Sequence, residues 1–264
     1  MSAKAKAAAQ LLFEAHERRD RFEPLPEALR PAAAEDAYAI QDAFLALRAD
    51  KLGPIVGYKI ALSSPEMRRF VNVSEPQAGA IHETTVRRSP AVVKASDFGR
   101  LLIEFEIAVE IAEDLPAADS PFSRERVAKA VGAVMPALEV ADDRNADYAL
   151  IPKHPYELIA DNCWNAGAVL GAPVAAWRSA DLTSVRGVAL VNGQVVGEGR
   201  GADAMGHPLD AVAWVADHLA KHGRGLLRGD IVITGSLVKS YFPKAGDWLV
   251  FALEGFGAVE LRVE

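Results

Sequence analysis

The sequence predicts an α+β protein: an N-terminal helical subdomain followed by a mixed β-sheet roll or sandwich domain. Three observations carry this. Apolar residues recur at helical spacing over the first 50 or so positions. After Gly53 the texture changes to short β-rich runs separated by turn signals. Only two helical stretches interrupt those runs, so a repeated βαβ pattern is absent and the sheet is expected to be mixed or antiparallel.

The first helix is read from Ala8, Leu11, Leu12 and Ala15, which share one face at helical spacing. Pro24, Pro26 and Pro31 mark a connection. The period resumes with Ala37, Ile40, Phe44 and Leu47, and Gly53-Pro54 ends it. The expected division is therefore 1–53 helical and 54–264 mixed β. The strand candidates are IVGYKIAL, AVVKA, IEFEIAVEIA, AVMPALEVA, AGAVLG, VRGVALVNGQVVGEGRG, DIVITGSLV, DWLVFALEG and AVELRVE. Asn192-Gly193, Gly229-Asp230, Gly246-Asp247 and Gly255 supply turns between them. SRERVAKAV reads as a helix capped by Ser123. HPLDAVAWVADHLAKHG reads as another, with Val212, Val215, Ala216 and Leu219 on its apolar face and Gly223 as its stop.

The 264 residues carry a net charge of -7 and are 50% hydrophobic, which excludes a largely disordered chain. The acidic balance weighs against nucleic acid or an anionic membrane as the main partner. Cys163 is the only cysteine, so an intramolecular disulfide and a cysteine-based zinc site are both excluded. No run reaches the length of a membrane-spanning helix and no targeting segment is visible, so a cytoplasmic location is expected.

Chemistry concentrates in a few places. In a strand, Glu104, Glu106 and Glu110 share a face, with Phe105, Ile107, Val109 and Ile111 on the other. A pattern of this kind alone fits a solvated strand face; it also fits a divalent cation held by hard oxygen ligands. Glu139 lies inside the apolar run Val134, Leu138 and Val140, where a carboxylate needs a partner. If their strands are adjacent, Glu104, Glu106 and Glu139 form a three-carboxylate metal site. Lys59 sits between Tyr58 and Ile60 in a β run, either seeking an anion or lying over the sheet as a surface side chain. Asp161-Asn162 precede a glycine-bearing apolar run and also fit a simple turn. Gly199, Gly201 and Gly206 precede a helix start but do not form a dinucleotide-binding fingerprint.

GYKIAL, IEFEIA, PALEV, IADN, GRG…GHPLDAVAW and GDIVITGSL occur in one order from about Ala37 onward. In that order the chain resembles the 2-keto-4-pentenoate hydratase / 2-oxo-3-hexenedioate decarboxylase branch of the fumarylacetoacetate hydrolase superfamily. The resemblance implies a Mg²⁺ or Mn²⁺ site, a small 2-oxo acid or 2-hydroxydienoate substrate, and a homo-oligomer that in some cases associates with a related pathway enzyme. It places the metal ligands on Glu104, Glu106 and Glu139. It places catalytic roles on Lys59 and Asp161, and substrate contacts on Lys59, Asn162, Ser236 and Leu237. The expected reaction is water addition to a 2-hydroxy-2,4-dienoate, giving a 4-hydroxy-2-oxo acid in the catabolism of aromatic compounds. Decarboxylation of 2-oxo-3-hexenedioate is the alternative; C–C hydrolysis and a non-catalytic partner subunit rank below both.

One departure bears on the choice. Hydratases of this branch often read Q-P-D-F-G where this chain reads Glu75-Pro76-Gln77-Ala78-Gly79. Gln77 replaces an acid, and an amide orients water but takes no proton from it. It is therefore expected to shape which reaction the site performs. His82-Glu83 are read as loop surface, and Arg68 and Arg69 as solvated helix charges rather than as contacts to a second substrate carboxylate.

Overall fold

The computed structural model describes residues 2–264. Helix α1 (Ala3–Arg18) starts at Ser2, whose side chain accepts a hydrogen bond from the Ala5 amide, and α2 (Ala34–Leu52) stops at Gly53 with φ +76°. The buried stripe of α1 is Ala5, Ala8, Ala9 and Leu12; that of α2 includes Ala37, Ile40, Ala43 and Phe44. Leu11 and Leu47, expected on these faces, are 38% and 37% exposed. The facing alanines let the two helices approach closely, so the contact narrows and the larger side chains at its margins are left outside.

Every expected β run forms a strand. These are β1 (Ile55–Ala61), β4 (Ala91–Val93), β5 (Leu101–Ile111), β6 (Val131–Asp142), β7 (Asn165–Leu170), β8 (Arg186–Val191), β9 (Gln194–Arg200), β10 (Ile231–Tyr241), β11 (Trp248–Leu253) and β12 (Gly257–Val263). Strands β2 (Gln77–His82) and β3 (Val86–Arg88) and helices α3 (Pro65–Val71) and α5 (Glu157–Ala160) join them. QAGAIH holds a single β-branched residue, which is why β2 carries little strand signal of its own. Its extended form comes from pairing with β1.

A seven-stranded sheet runs β2-β1-β10-β5-β6-β7-β3, and a five-stranded sheet runs β4-β12-β11-β8-β9. Both are mixed: β1/β10, β3/β7 and β4/β12 are parallel and the other pairs antiparallel. The sheets face each other over a continuous apolar core, where the Phe105 and Phe251 rings lie 5.8 Å apart. Helix α4 (Arg124–Ala130) is capped by Ser123 as expected. Helix α6 (Pro208–Lys221) buries Val212, Val215, Ala216 and Leu219 in the same core. It ends in a Schellman motif: the Arg224 amide donates to Leu219, the Gly223 amide to Ala220, and Gly223 has φ +69°.

The two N-terminal helices share a core with the sheet region. Ala78, Ile159 and Ala160 pack with Ala8, Ile40 and Phe44. Gln41 donates to the carbonyls of Ala78 and Ile159 at 2.9 Å each, and Tyr38 accepts from the Ala78 amide at 3.0 Å. The helices thus brace β2, which pairs with β1, and α5, whose Leu158 lines the cavity described below.

Phe105 is fully buried between the two sheets. Phe105→Ala should cost about 3–5 kcal/mol of unfolding free energy, read by denaturant titration. A loss under 1 kcal/mol would mean that the two sheets do not rely on this contact.

Candidate active site

The central strands β5 and β6 pair antiparallel with Glu104 opposite Glu139 and Glu106 opposite Ala137. Directly opposed residues share a face, and so do residues two apart on one strand. All three carboxylates therefore converge: one oxygen from each lies within 4.8 Å of the others. Glu106 and Glu139 are fully buried and Glu104 is half-buried. The solvated-face alternative is thereby overturned for Glu106, which is 0% exposed between the paired neighbours β6 and β10. Glu110, farther along the strand, is half-buried and stands apart from the cluster.

Neighbouring strands are shaped to serve these acids. The register between β10 and β5 slips on both sides of Ser236. Within that bulge Gly235 takes φ +102°, and its amide donates to Glu106 Oε2 at 2.7 Å. A Cβ on Gly235 would lie 2.6 Å from Ser63 Oγ, so glycine is required by both conformation and space. Asn165, at the start of β7, donates to Glu139 Oε1 at 3.0 Å. Lys59 reaches in from β1, where it pairs with Ile233 of β10 and Gly79 of β2. A Cβ at Gly79 would come within 3.1 Å of Lys59 Cγ and 2.8 Å of the Asn162 carbonyl, so Gly79 makes room for the lysine stem.

Lys59 Nζ lies 3.1 Å from Glu139 Oε2. The pair is close enough for an ion pair but not aligned as a hydrogen bond. Glu139 Oε2 and Glu106 Oε1 are thus buried oxygens that accept no hydrogen bond. Burial, then Glu139, then Glu104 push the Glu106 carboxyl well above its usual range. Burial pushes Glu139 up to about 7 against the pull of Lys59. Burial opposes the Lys59 charge, yet Glu139 and then Glu104 outweigh it and hold the ammonium above its ordinary value. Three hard carboxylate donors, two buried oxygens that accept no hydrogen bond and mutual repulsion fit a small divalent cation.

The cluster borders a cavity of about 830 Å³ whose walls include Lys59, Glu104, Tyr148, Cys163, Trp164, Ser236 and Leu237. Ser236 and Leu237, expected to contact substrate, both line this cavity. The Ser236 hydroxyl is committed to backbone, accepting from the Phe105 amide at 3.0 Å and donating to the Val238 carbonyl at 2.7 Å.

Other expected site residues lie elsewhere. Asp161 is fully buried outside the cavity, with Arg144 at 2.6 Å on one oxygen and His16 at 2.6 Å on the other. Burial alone would raise its pKa; Arg144 and then His16 overturn this and hold it at about 2. Asn162 spends its amide on β2, accepting from the Ala80 amide at 2.8 Å and donating to the Ala80 carbonyl at 2.9 Å. These contacts anchor a strained turn: Asn162, Cys163 and Trp164 have φ of 52°, 49° and 61°. Consecutive left-handed non-glycine residues cost about 1–2 kcal/mol each, so the surrounding contacts must impose them. The turn projects Cys163 and Trp164 into the cavity wall.

Gln77 is buried at the start of β2, donating to the Pro155 carbonyl at 3.3 Å, and does not line the cavity. Cys163 stands between, its Sγ 3.9 Å from Gln77 Oε1. His82 is not loop surface: it ends β2, is 3% exposed, and its Nδ1 lies 2.8 Å from the Gly53 carbonyl. The pairing of β2 with β1 carries it inside, while Glu83 remains exposed. Arg68 lines the cavity and donates to the carbonyls of Leu62 and Ser63, whereas Arg69 is exposed beside Glu66. Tyr148, Cys163 and Trp164 carried no motif signal of their own; only folding of the 142–164 segment over β6 brings them to the cavity.

A family model described as the fumarylacetoacetate (FAA) hydrolase C-terminal domain matches residues 59–264. The chain belongs to the fumarylacetoacetate hydrolase family. The matched part contains Lys59 and all three carboxylates; α1 and α2 lie outside it. The chain is 32% identical over 248 residues to a 2-keto-4-pentenoate hydratase of Paraburkholderia phymatum, covering 94% of this chain and 93% of that one. It is 30% identical over 255 residues to a 2-hydroxyhexa-2,4-dienoate hydratase of Comamonas testosteroni, covering 96% and 95%. Among family structures, the 4-oxalocrotonate decarboxylase of Pseudomonas putida G7, complexed with magnesium and adipate, superposes with a TM-score of 0.91 at 26% identity. That match covers 100% of this chain and 98% of the other.

Asp161 locks the turn rather than touching substrate, so its loss should act on stability. Asp161→Asn strands Arg144 in the interior and should cost about 3–5 kcal/mol, while folded protein keeps its metal content. The pH dependence has a definite sign. Because the folded pKa is depressed, the native Asp161 contribution is complete above about pH 4 and fades as pH falls toward 2. Acid unfolding of the native protein should show this loss and the Asn variant should not. An Asn variant of native stability that turns over no substrate would instead assign Asp161 to the chemistry.

Proposed function

We propose that this protein is a divalent-metal-dependent lyase that adds water to a 2-hydroxy-2,4-dienoate, giving a 4-hydroxy-2-oxo acid. The observation that carries the reading is the three-carboxylate cluster, with two buried oxygens that accept no hydrogen bond, beside Lys59 at the wall of a cavity. The named hydratases that the chain resembles over nearly its whole length support the same reaction class.

Glu104, Glu106 and Glu139 would hold the cation, and Mg²⁺ or Mn²⁺ suits their hard oxygens. When bound, it would supply Lewis-acid stabilisation of negative charge on the substrate's 2-oxygen. Lys59 provides a fixed positive charge for the substrate's carboxylate end. Its ammonium is held protonated, so it acts as a clamp or proton donor and not as a base. Cys163, pushed up to about 12 by burial, presents a neutral thiol to the substrate. Tyr148 keeps its proton and donates a 3.0 Å hydrogen bond from its hydroxyl to Asp143, so it is likewise no base. Apolar walls from Leu102, Ile151 and Leu158 keep bulk water from the conjugated chain. The substrate is a small molecule; a homo-oligomeric assembly in the cytoplasm is part of the proposal.

A second reading, decarboxylation of 2-oxo-3-hexenedioate, has two specific supports: the structural likeness to the decarboxylase, and an amide at Gln77. Gln77 acts there through Cys163 on the shape of the wall, since it does not line the cavity. Incubation with Mg²⁺ and a panel of 2-hydroxydienoates and 2-oxo-3-enedioates separates the two by product mass. Water gain on the dienoates is expected; CO₂ loss alone would favour the second reading, and neither product would overturn both. Lys59→Met should lower the rate about 10²–10⁴-fold with the fold intact, and a near-normal rate would remove Lys59 from the reaction.

Glu106→Gln should weaken Mg²⁺ binding by more than about tenfold in calorimetric titration. The same change should raise the melting temperature of metal-free protein at pH 8, because it removes a buried charge that its neighbours repel. In the native protein, Mg²⁺ affinity should rise with pH through about 7, as the cation displaces protons from carboxyls whose pKa values are raised. Affinity independent of pH from 6 to 8, or undiminished in Glu106→Gln, would place the cation elsewhere.

A further inference from the structure

A second cavity, of about 250 Å³, lies where the N-terminal helices meet the catalytic sheet. At about 30 Å³ per water, it has room for a small ion with part of its hydration. Five basic side chains reach its wall: His16, Arg19, Arg48, Lys51 and Arg87. Lys51 is neutralised by Glu17, and His16 is engaged by Asp161. The others meet no carboxylate. Arg19 donates to the Ser96 carbonyl at 3.0 Å and Arg87 to the Thr85 carbonyl at 3.2 Å. Half-buried Arg48 lies over the Phe44 ring at 5.2 Å and, among the described residues, has neither a hydrogen-bond nor an ion-pair partner. A guanidinium carries five N–H donors in a planar fork that matches an oxyanion, and those of Arg48 meet no acceptor among the described residues.

Besides Glu17, two more acids border the cavity. Asp142 is already occupied, accepting from the amides of Gly99, Arg100 and Arg144. Asp97 is exposed. The unpaired charge on the wall is nonetheless net positive: three arginines against two aspartates, Asp97 and Asp142. Trp164, 9% exposed, also forms part of this wall.

We infer that this cavity binds a compact oxyanion, a carboxylate or phosphate, with Arg48 as its principal anchor and Arg19 and Arg87 beside it. The site is separate from the carboxylate cluster but adjoins it. Trp164 lines both cavities, and Asn165, which donates to Glu139, forms part of this wall as well. His16, Arg19, Arg48 and Lys51 all lie outside residues 59–264, so the site depends on the helices that precede the family domain. An anion held there ties α1 and α2 to the strand that steadies Glu139.

The test uses Mg²⁺-loaded full-length protein, titrated with sodium phosphate and, in parallel, sodium acetate, against sodium chloride of equal ionic strength. Calorimetry and thermal melting give the readout. Saturable binding with a melting temperature above the chloride control is expected for at least one of the two anions, and which one responds tells phosphate from carboxylate. Arg48→Met should weaken it about tenfold or more, and Arg87→Gln should weaken it measurably. Lys59→Met, altered only in the larger cavity, should bind as the native protein does. No response beyond chloride from either anion would overturn the site. So would binding that survives both arginine changes, or binding lost in Lys59→Met and kept in Arg48→Met, which would put the anion in the larger cavity. Circular dichroism of each variant shows whether lost binding reflects lost fold; should Arg48→Met fail to fold, the Arg87→Gln result decides.

Discussion

Three carboxylates brought together in a site largely closed to water set the terms for the rest of this structure. Ionised acids a few ångströms apart repel strongly, and burial removes the water that would screen them. The protein answers with Lys59 beside Glu139, the Gly235 amide on Glu106 and the Asn165 amide on Glu139. Those contacts still leave one oxygen of Glu106 and one of Glu139 without a hydrogen bond. The arrangement is incomplete as an ion-pair network, and its three converging carboxylates suit a cation. A divalent cation would relieve the repulsion and, by neutralising the acids, loosen their hold on the Lys59 ammonium. Occupancy of the cluster by a cation would in this way be coupled to the charge on Lys59 through Glu139.

Much of the surrounding architecture follows from positioning those few atoms. Strand β5 and strand β6 are long and paired along their whole length, which fixes Glu104 opposite Glu139. The bulge in β10 spends ladder regularity to aim one amide at Glu106, and glycine is the residue that permits it. The opposite wall is built by a different device. The left-handed turn at Asn162–Trp164 is held by a double hydrogen bond to Ala80 and by the buried Arg144–Asp161–His16 group. His16 comes from α1, so an N-terminal helix reaches through to stabilise a strained segment of the catalytic wall. The helices are thus part of the site's support.

Within one strand, the alternation of side chains is a local property, and it was enough to put Glu104 and Glu106 on one face with Phe105 and Ile107 opposite. Helical periods, Ser123 as a cap and Gly223 as a stop are local in the same sense and were legible for that reason. The exposed positions of Leu11 and Leu47 were not, because which part of an apolar face is covered depends on how closely the partner helix approaches. β2 was equally hidden: its residues have little strand preference, and pairing with β1 makes the strand.

Taken alone, then, the sequence determined the order of elements, the composition of the carboxylate strand, the isolation of Lys59 in a β run, and, through six motifs in register, the family. It did not determine which motif residues touch the cavity. Asp161 and Asn162 stand side by side with cavity residues Cys163 and Trp164, yet their side chains turn into the scaffold. Gln77 lies behind Cys163, and His82 is drawn inside at a strand end. Only the tertiary structure decided these, together with the registry of Glu139 opposite Glu104. Period and propensity act over a few residues; strand neighbours, register and burial are set by contacts between segments up to 180 or so positions apart, as Arg224 with Asp42 illustrates.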